Sequence, residues 1–379
     1  MWGAERSMLA LAPLLASRGI DVTLGSPTGG DLEVEWRALG LPRLPLELPV
    51  HAGIRAKDET GSRPSPATLA VEALTTARTA LLVARAARPF DLIHSNSLWA
   101  HMDVALAGRL ARRPVVIELH DLVLPGLGRR LLGLSSRLAT ATVAISAAVA
   151  GVVGAGDAEG VEIVPQAVDL RRFSPGPADP TIRQSLTADA DAPLVGIVGR
   201  IDPMKGIDVL LRAMAQLAGP AVEARLVVVG SPGLDSGEYE RSVRADADRL
   251  LGDRARFVGP TADVPGVLRC LDVLVNASSA EPFGLTVLEA QASGVPVVAA
   301  ASGGIVDFVR DGENGLLVPP DDAMALARAL ERLLGDTELR TRLGRRGRET
   351  AEAAHGLDHR ADALAEIYRA ATAGRRTPS

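Results

Sequence analysis

Short apolar runs alternate with amphipathic helical patterns along most of this chain. The runs are rich in valine, leucine and alanine, which is typical of parallel strands buried on both faces. In the first half they cover residues 21–24, 91–94, 115–119, 142–145 and 162–164. In the second half they cover residues 194–198, 225–229, 255–258, 273–276, 297–299 and 315–318. This alternation predicts an α/β fold in which helices connect parallel strands.

The alternation is interrupted between Phe173 and Pro180, where prolines and a glycine are expected to stop any helix or strand. We interpret residues 173–190 as a linker between an N-terminal domain of residues 1–172 and a second domain of residues 191–356. A length of 379 residues also favours two domains. The hydrophobic content of 47% is ample for two cores, and with 3% aromatic residues these cores must consist mostly of aliphatic side chains.

The beginning of the chain departs from this order. Residues 3–16 are typical of a glycine turn that enters an amphipathic helix, which in a doubly wound domain follows a first strand. No strand pattern precedes them. We therefore expect the N-terminal domain to lack its first strand, because the start of the chain was misassigned or because the strand is truly absent.

Composition excludes several classes of protein. The net charge of −5 argues against binding to nucleic acid. The best candidate for a membrane span, residues 67–87, is interrupted by Glu72, Arg78 and Arg85, and no secretory signal is visible, so we expect a cytoplasmic protein. The single cysteine, Cys270, cannot form an internal disulfide and is expected to pack in the core.

One apolar run ends in a segment with two carboxylates. The run 273–276 predicts a buried strand, so the first acid lies in the loop at the strand's carboxyl end, where ligands of open α/β sheets bind. The second acid lies about one turn into the next helix, whose free amides can bind phosphate. The candidate ligand-binding residues of this segment are Glu281, Phe283, Gly284, Leu285, Thr286 and Glu289. The alternative is a pair of acids on a solvated helix.

A second loop at the same predicted edge carries two cations. Arg200 and Lys205 lie between the strand that ends at Val198 and a helix that begins near Asp208. Two cations there can neutralise a leaving diphosphate, so we predict neither a metal site nor a cofactor. The alternative is a pair of solvated cations.

Backbone at three strand ends, one of which begins the loop of Arg200 and Lys205, is expected at this edge. Gly199 and Gly230 follow strands, and Val258 lies at the end of another. Glycine allows the main chain to approach a flat nucleotide base, although glycine after a strand is also ordinary in turns. Each of these signals is weak alone.

In the first half, His120 follows a buried strand and is expected to face the cleft. A structural role for this histidine is equally compatible with the sequence. Another strand end carries Ser95-Asn96-Ser97 and Trp99-Ala100-His101, which can bind hydroxyl groups or stack on an acceptor. Arginines are dense in the same half, at positions Arg109, Arg112, Arg113, Arg129, Arg130 and Arg137. We interpret them first as a solvated face, and otherwise as a patch for an anionic acceptor or for peripheral contact with the inner surface of a membrane.

In these residues the chain resembles the retaining glycosyltransferases of the large family four, and the resemblance extends over nearly its whole length. The resemblance is strongest in residues 199–206, in Glu281 and Glu289 with their seven intervening residues, and in residues 303–319. Weaker similarity lies in residues 3–6, 118–121 and 164–169. It implies the GT-B architecture, in which two Rossmann-like domains with parallel sheets face each other across a cleft.

The resemblance also implies roles for the candidate residues. Arg200 and Lys205 would bind the donor diphosphate, the helix-start amides would assist them, and Gly3 would lie near the phosphates. Glu289 would bind the ribose, and Glu281 and His120 would contact the donor sugar. The helix near residues 357–372 would pack back on the first domain.

Three departures from the family pattern stand out. Trp2 stands where a glycine is usual, Gln166-Ala167 replaces Asn-Gly, and Val306-Asp307 replaces Pro-Glu. None of them removes a charge from the diphosphate site.

The implied activity is metal-independent transfer of a sugar, with retention, from a nucleotide-diphosphate sugar to a hydroxyl of a glycan, a lipid-linked sugar or a small molecule, in glycan or glycoconjugate biosynthesis. The alternatives are a nucleotide-sugar epimerase on the same fold and a truncated, non-catalytic nucleotide-binding protein.

Overall fold

The computed structural model describes residues 3–49, 51, 65–154, 160–189, 191–218, 221, 223–233 and 236–374. Two compact units account for the chain. Unit 1 consists of Met1–Gln166 and Leu357–Ser379, and unit 2 consists of Ala167–Gly356. The division falls at residue 166 rather than at the expected residue 172, and the loop-like stretch 52–64 lies outside the described residues.

The strands are β1 (Leu24–Ser26), β2 (Arg43–Pro45), β3 (Ile93–Ser95), β4 (Val115–Leu119), β5 (Ala141–Ala144), β6 (Val161–Ile163), β7 (Leu194–Val198), β8 (Arg225–Val229), β9 (Ala255–Gly259), β10 (Val273–Asn276), β11 (Val297–Ala300) and β12 (Leu316–Val318). The helices are α1 (Gly3–Ser17), α2 (Asp31–Ala38), α3 (Pro66–Ala86), α4 (His101–Ala111), α5 (Leu127–Leu138), α6 (Ala147–Ala150), α7 (Pro180–Leu186), α8 (Ile207–Ala215), α9 (Gly237–Leu250), α10 (Val264–Arg269), α11 (Leu285–Ala292), α12 (Ala323–Gly335), α13 (Thr337–Ala354) and α14 (Leu357–Ala373). The predicted α/β class with parallel sheets in two domains is confirmed.

Unit 1 has its strands in two parallel sheets, β1-β2 and β3-β4-β5-β6. The strand predicted at residues 21–24 lies a few residues further along the chain, as β1. The strand β2 was not predicted, because Arg43-Leu44-Pro45 is short, is partly exposed and contains no apolar run. The first described element is α1. The expected absence of a first strand concerns residues before α1 and stays a prediction.

Helices cover the larger sheet of unit 1. Leu11 and Leu15 of α1 and Leu364 of α14 are buried against Val116 and Val143 of the sheet. The helix α4 packs on β3 and β4 and is in turn contacted by α3 and α5. The last helix of the chain therefore belongs to the core of the first domain.

Unit 2 is built on one parallel sheet with the strand order β12-β11-β10-β7-β8-β9. Its central strands are buried on both faces, and the surrounding core is aliphatic. The apolar runs predicted for this half form strands within one or two residues of their expected limits.

The predicted linker 173–190 is not free of regular structure, since α7 forms within it. Residues 173–179 contain no helix or strand, as expected, but Pro180 begins α7, because proline is compatible with the first helical position. Asp179 caps this helix by accepting hydrogen bonds from the amides of Thr181 and Ile182 at 2.7 and 3.3 Å. Leu186 anchors the helix by burial.

Candidate functional site

The sheet of unit 2 reverses its strand order at one point. From β7 the chain proceeds to β8 and β9 and then crosses back to β10, on the other side of β7. In open parallel sheets, ligands bind in the crevice outside the carboxyl ends of the strands at such a point, here those of β7 and β10. The loop after β7 carries Arg200 and Lys205, and the loop after β10 carries Glu281.

Glu281 is held in this crevice by three donors to one carboxylate oxygen. Its Oε2 accepts hydrogen bonds from Lys205 Nζ at 2.7 Å, Ser278 Oγ at 3.0 Å and Asn276 Nδ2 at 3.2 Å. Burial alone would raise the pKa of the Glu281 carboxyl, but Lys205, followed by the hydrogen bonds from Asn276 and Ser278, lowers it. The site thus contains a fixed, largely buried ion pair.

The backbone of the two loops explains this contact. Gly206 has φ +64°, and a Cβ there would clash with the carbonyl oxygen of Ala277. The amide of Ser279 also donates to the carbonyl of Met204 at 3.2 Å. Glycine at position 206 therefore lets the loops touch and brings Lys205 to the carboxylate.

Arg200 is the more accessible of the two cations. Its side chain is 43% exposed and lies 3.8 Å from Asp202 Oδ2, whereas that of Lys205 is 23% exposed. The loop therefore offers one cation held by Glu281 and one that is more exposed to solvent.

The helix start beside Glu281 is formed as predicted. Gly284 precedes α11 with φ +100°, and a Cβ there would clash with the side chain of Ile305. The amides of Leu285 and Thr286 have no acceptor within the helix, because they belong to its first turn. Glu289 lies about one turn further along α11 and is half-buried. The amides of Leu285 and Thr286 and the carboxylate of Glu289 thus all belong to α11, the helix predicted to bind phosphate and hydroxyl groups.

Phe283 has a packing role. Its ring is 3% exposed, stacks on Phe308 at a centroid distance of 5.0 Å, and lies near the ring of His355. Any contact of Phe283 with a donor would therefore come from its main chain.

The predicted base-binding loops also meet at this edge. Gly230 has φ +151°, and a Cβ there would clash with the carbonyl oxygen of Gly199, so the two loops are in direct contact. The amide of Gly230 donates to the carbonyl of Gly259 at 2.9 Å. Val258 lies in an irregularity of the ladder, since Val228 pairs with Phe257 and Val229 pairs with Gly259. Backbone of three strands is available here to a flat ligand.

Three polar residues that support this site were not singled out from the sequence. Asn276 and Ser278 bind Glu281, and Ser302 Oγ donates to the carbonyl of Ser278 at 2.6 Å. All three are buried at strand ends. Polar residues directly after an apolar run were the signal that could have identified them.

In unit 1, His120 is held on both sides of its ring. Nε2 lies 2.7 Å from Asn96 Oδ1 and 3.3 Å from Glu118 Oε1, so it carries the proton, and Nδ1 accepts from Gln166 Nε2 at 3.2 Å. Burial lowers the pKa of His120, although Glu118 opposes this effect. The imidazole is neutral, and a ligand contact would have to replace one of these partners.

A buried carboxylate lies beneath this histidine. Glu118 of β4 pairs with Arg360 of α14 and lies 3.1 Å from Nε2 of His94. Arg360 also donates to the carbonyl of Val164 at 2.6 Å. Neither acid nor arginine was predicted as a partner, because 242 residues separate them in the chain.

The role expected of Gly3 and the expected absence of a metal ion stay predictions. Gly3 is the first residue of α1. Among the described residues, no group of three or more histidine, cysteine and acidic side chains is arranged to hold a metal ion. The binding roles assigned to the site residues stay predictions.

Two family models match this chain. The model for Glycosyltransferase Family 4 matches residues 2–172, and the model for Glycosyl transferases group 1 matches residues 178–350.

Among curated proteins, the D-inositol 3-phosphate glycosyltransferase of Acidothermus cellulolyticus is 34% identical over 97% of this chain and 85% of its own length. The proteins of the same name from Saccharomonospora viridis and Nocardia farcinica are 42% and 34% identical, over 57% and 76% of this chain. Those matches span 51% and 65% of the relatives' own length, so this chain covers between half and two thirds of them.

Solved structures match the fold over nearly the whole chain. HepE of Anabaena in complex with UDP and glucose is 25% identical, with a TM-score of 0.78 over 97% of this chain and 95% of that one. Sucrose-phosphate synthase of Thermosynechococcus elongatus is 24% identical, with a TM-score of 0.76 over 97% and 92%. Since these neighbours have the GT-B fold, the predicted fold class is confirmed.

Proposed function

The chain belongs to the family-four glycosyltransferases, and we propose that it transfers a sugar from a nucleotide-diphosphate donor to a hydroxyl acceptor with retention of configuration and without a metal ion. One observation carries the proposal: Lys205 Nζ is fixed 2.7 Å from Glu281 at the point where the strand order of unit 2 reverses, beside the free amides of α11. This arrangement suits a diphosphate that gains negative charge as it leaves.

Departure of the diphosphate is the step that these residues assist. Lys205 and Arg200 supply positive charge, and the amides of Leu285 and Thr286 supply aligned donors. A preorganised donor of this kind contributes about 3 to 4 kcal/mol to transition-state stabilisation. Two cations and a helix start neutralise the leaving group without a metal ion.

Glu281 acts in this mechanism as a positioning group. Its Oε2 is occupied by three donors, so it is poorly suited to attack the anomeric carbon. Its Oε1 can accept a hydroxyl of the donor sugar. The acceptor hydroxyl can instead lose its proton to the leaving phosphate as the new bond forms on the same face, which gives retention.

The relatives suggest the first substrates to test. HepE binds UDP and glucose in its solved complex, and several curated relatives are D-inositol 3-phosphate glycosyltransferases. We propose a UDP-sugar as donor and a phosphorylated polyol or sugar as acceptor.

The test is a transfer assay with UDP-glucose and chelator, with and without D-inositol 3-phosphate. Transfer should appear only with the acceptor, and NMR should show an α-linked product. A changed sugar in the absence of acceptor would favour the epimerase, and nucleotide binding without turnover would favour a non-catalytic protein. Arg212→Ala removes an exposed cation from α8 and serves as the matched control for Lys205→Ala.

A further inference from the structure

The helix α3 of unit 1 exposes an unusually apolar face. Val71 and Leu74 are 57% and 61% exposed, and Leu69, Leu81 and Leu82 are exposed as well. Among the described residues, this is the one helix long and apolar enough, by length and composition alone, to cross a membrane. By helical spacing, Val71, Leu74, Leu81 and Leu82 share one side of α3 with Arg78 and Arg85, so this side combines exposed apolar and cationic side chains. Clusters of exposed apolar side chains often mark a binding surface.

The opposite edge of α3 attaches it to the domain. Glu72, Thr79, Ala80 and Val83 are buried, and the helix packs along α4. Glu72 lies 2.9 Å from one ring nitrogen of His51, and Asp103 of α4 lies 2.8 Å from the other. Since this edge holds buried charge, α3 is part of a folded domain, and its apolar face can lie on a membrane rather than span it.

The charge on this surface has one sign. Within α3, α4 and α5 the only acids are Glu72 and Asp103, and both are buried. The exposed charged side chains of these helices are Arg78, Arg85, Arg109, Arg130 and Arg137. A chain with a net charge of −5 thus presents a helical surface whose exposed charges are all positive.

A groove along α5 is also lined by cationic and apolar side chains. It encloses about 440 Å³ and is lined by residues that include Arg129, Arg130, Leu134, Arg137 and Val152. Arg129 donates to the carbonyls of Gly151 and Val152 at 2.8 and 2.7 Å, which fixes one wall. None of the described residues that line the groove is acidic. Cationic and apolar groups here suit a phosphate attached to an acyl chain.

We propose that the surface formed by α3, α4 and α5 binds the face of a membrane that contains anionic phospholipids. Apolar side chains would enter the interface while the arginines contact headgroup phosphates. A second copy of the chain is a poor occupant, because a two-fold interface would place these arginines against their own copies. The proposal goes beyond the proposed transfer reaction, and its test needs no turnover.

The test is cosedimentation of the full chain with vesicles of phosphatidylcholine alone or mixed with phosphatidylglycerol. Binding should require phosphatidylglycerol and weaken as salt is raised. Since each arginine contributes about a fivefold gain in partitioning, Arg78→Gln/Arg85→Gln should lower the partition coefficient about 25-fold. Leu74→Ser/Leu81→Ser should also lower it, and both changes are at exposed positions.

The matched control is Arg328→Gln/Arg332→Gln, which removes two exposed arginines from α12 of unit 2 and should leave binding unchanged. Absence of binding to phosphatidylglycerol vesicles at low salt would overturn the proposal. So would equal loss of binding in the control, or a dimer in free solution that Leu74→Ser/Leu81→Ser converts to a monomer.

Discussion

Glu281 in unit 2 and Glu118 in unit 1 are both buried carboxylates paired with a cation, but their surroundings differ. Glu281 lies in a loop, and its partner Lys205 is 23% exposed. Glu118 lies within β4, and its partner Arg360 is 1% exposed. The first pair is therefore open to a ligand, whereas the second is enclosed by a strand, the last helix and two histidines.

The two ion pairs have different roles, although a cation keeps the buried carboxylate ionised in both. Burial would raise the pKa of both carboxyls, but Lys205 lowers it at Glu281, and Arg360 lowers it at Glu118. Each carboxylate is thus ionised because of its partner. We infer that the pair in unit 2 serves ligand binding, while the pair in unit 1 joins α14 to the sheet.

Removal of the cation in unit 1 should have the largest effect. Arg360→Met leaves Glu118 buried without its main partner, which typically costs about 3 to 5 kcal/mol of unfolding free energy. Urea unfolding followed by circular dichroism should show this loss. The double variant Glu118→Gln/Arg360→Met should recover part of it, and an unchanged midpoint in the single variant would show that the pair does not stabilise unit 1.

Removal of the cation in unit 2 should act on turnover instead. Lys205→Ala should lower kcat/KM for a UDP-sugar about 100- to 1,000-fold, as expected for loss of one preorganised donor. Its melting temperature should stay close to that of the wild type. A variant that unfolds as readily as Arg360→Met would remove the distinction between the two pairs.

A substitution at the glycine that contacts the main chain of Glu281 should have a smaller effect than Lys205→Ala. Gly303 has φ +54°, and a Cβ there would clash with the carbonyl oxygen of Glu281. Gly303→Ala should therefore displace the loop, cost about 1 to 2 kcal/mol in backbone strain, and weaken UDP binding measured by calorimetry. Gly335→Ala, where the added Cβ meets no atom, is the control. Equal UDP affinity in both variants would contradict the proposed position of the site.

The smallest effect should be a pH dependence in unit 1. Burial lowers the pKa of His120 below 6.5, so the unfolded chain takes up this proton first as pH falls. Stability should decrease below pH 6.5 by up to about 1.4 kcal/mol per pH unit until His120 itself protonates. The contribution of the ionised Glu118 carboxylate to stability persists down to about pH 4.5, which is the ordinary pKa of a glutamate side chain. In His120→Gln the urea midpoint should depend less on pH between these two values. A pH dependence equal to that of the wild type would show that His120 is not the group responsible.

The sequence revealed much more of unit 2 than of unit 1. Apolar runs located the strands of unit 2, and Glu281, Lys205 and Arg200 follow them directly, so proximity along the sheet edge could be deduced. In unit 1 the pairing of Glu118 with Arg360 joins residues 242 positions apart. No local pattern could indicate that contact.

Two details of the sequence have a structural meaning that periodicity could not supply. Gln166, a departure from the family pattern, donates a hydrogen bond to Nδ1 of His120. Pro180 begins a helix because Asp179 caps it. Both depend on hydrogen-bond geometry, which sequence pattern alone does not determine.

The most direct test of the donor site is the melting temperature of the wild type, Lys205→Ala and Arg212→Ala with UDP and chelator. At a hundred times its dissociation constant, UDP should stabilise the wild type by about 2.7 kcal/mol, which corresponds to a shift of about 5 °C or more. Arg212→Ala should shift equally, and Lys205→Ala should shift much less. Equal shifts in all three proteins, or none in the wild type, would contradict a metal-independent diphosphate site at Lys205.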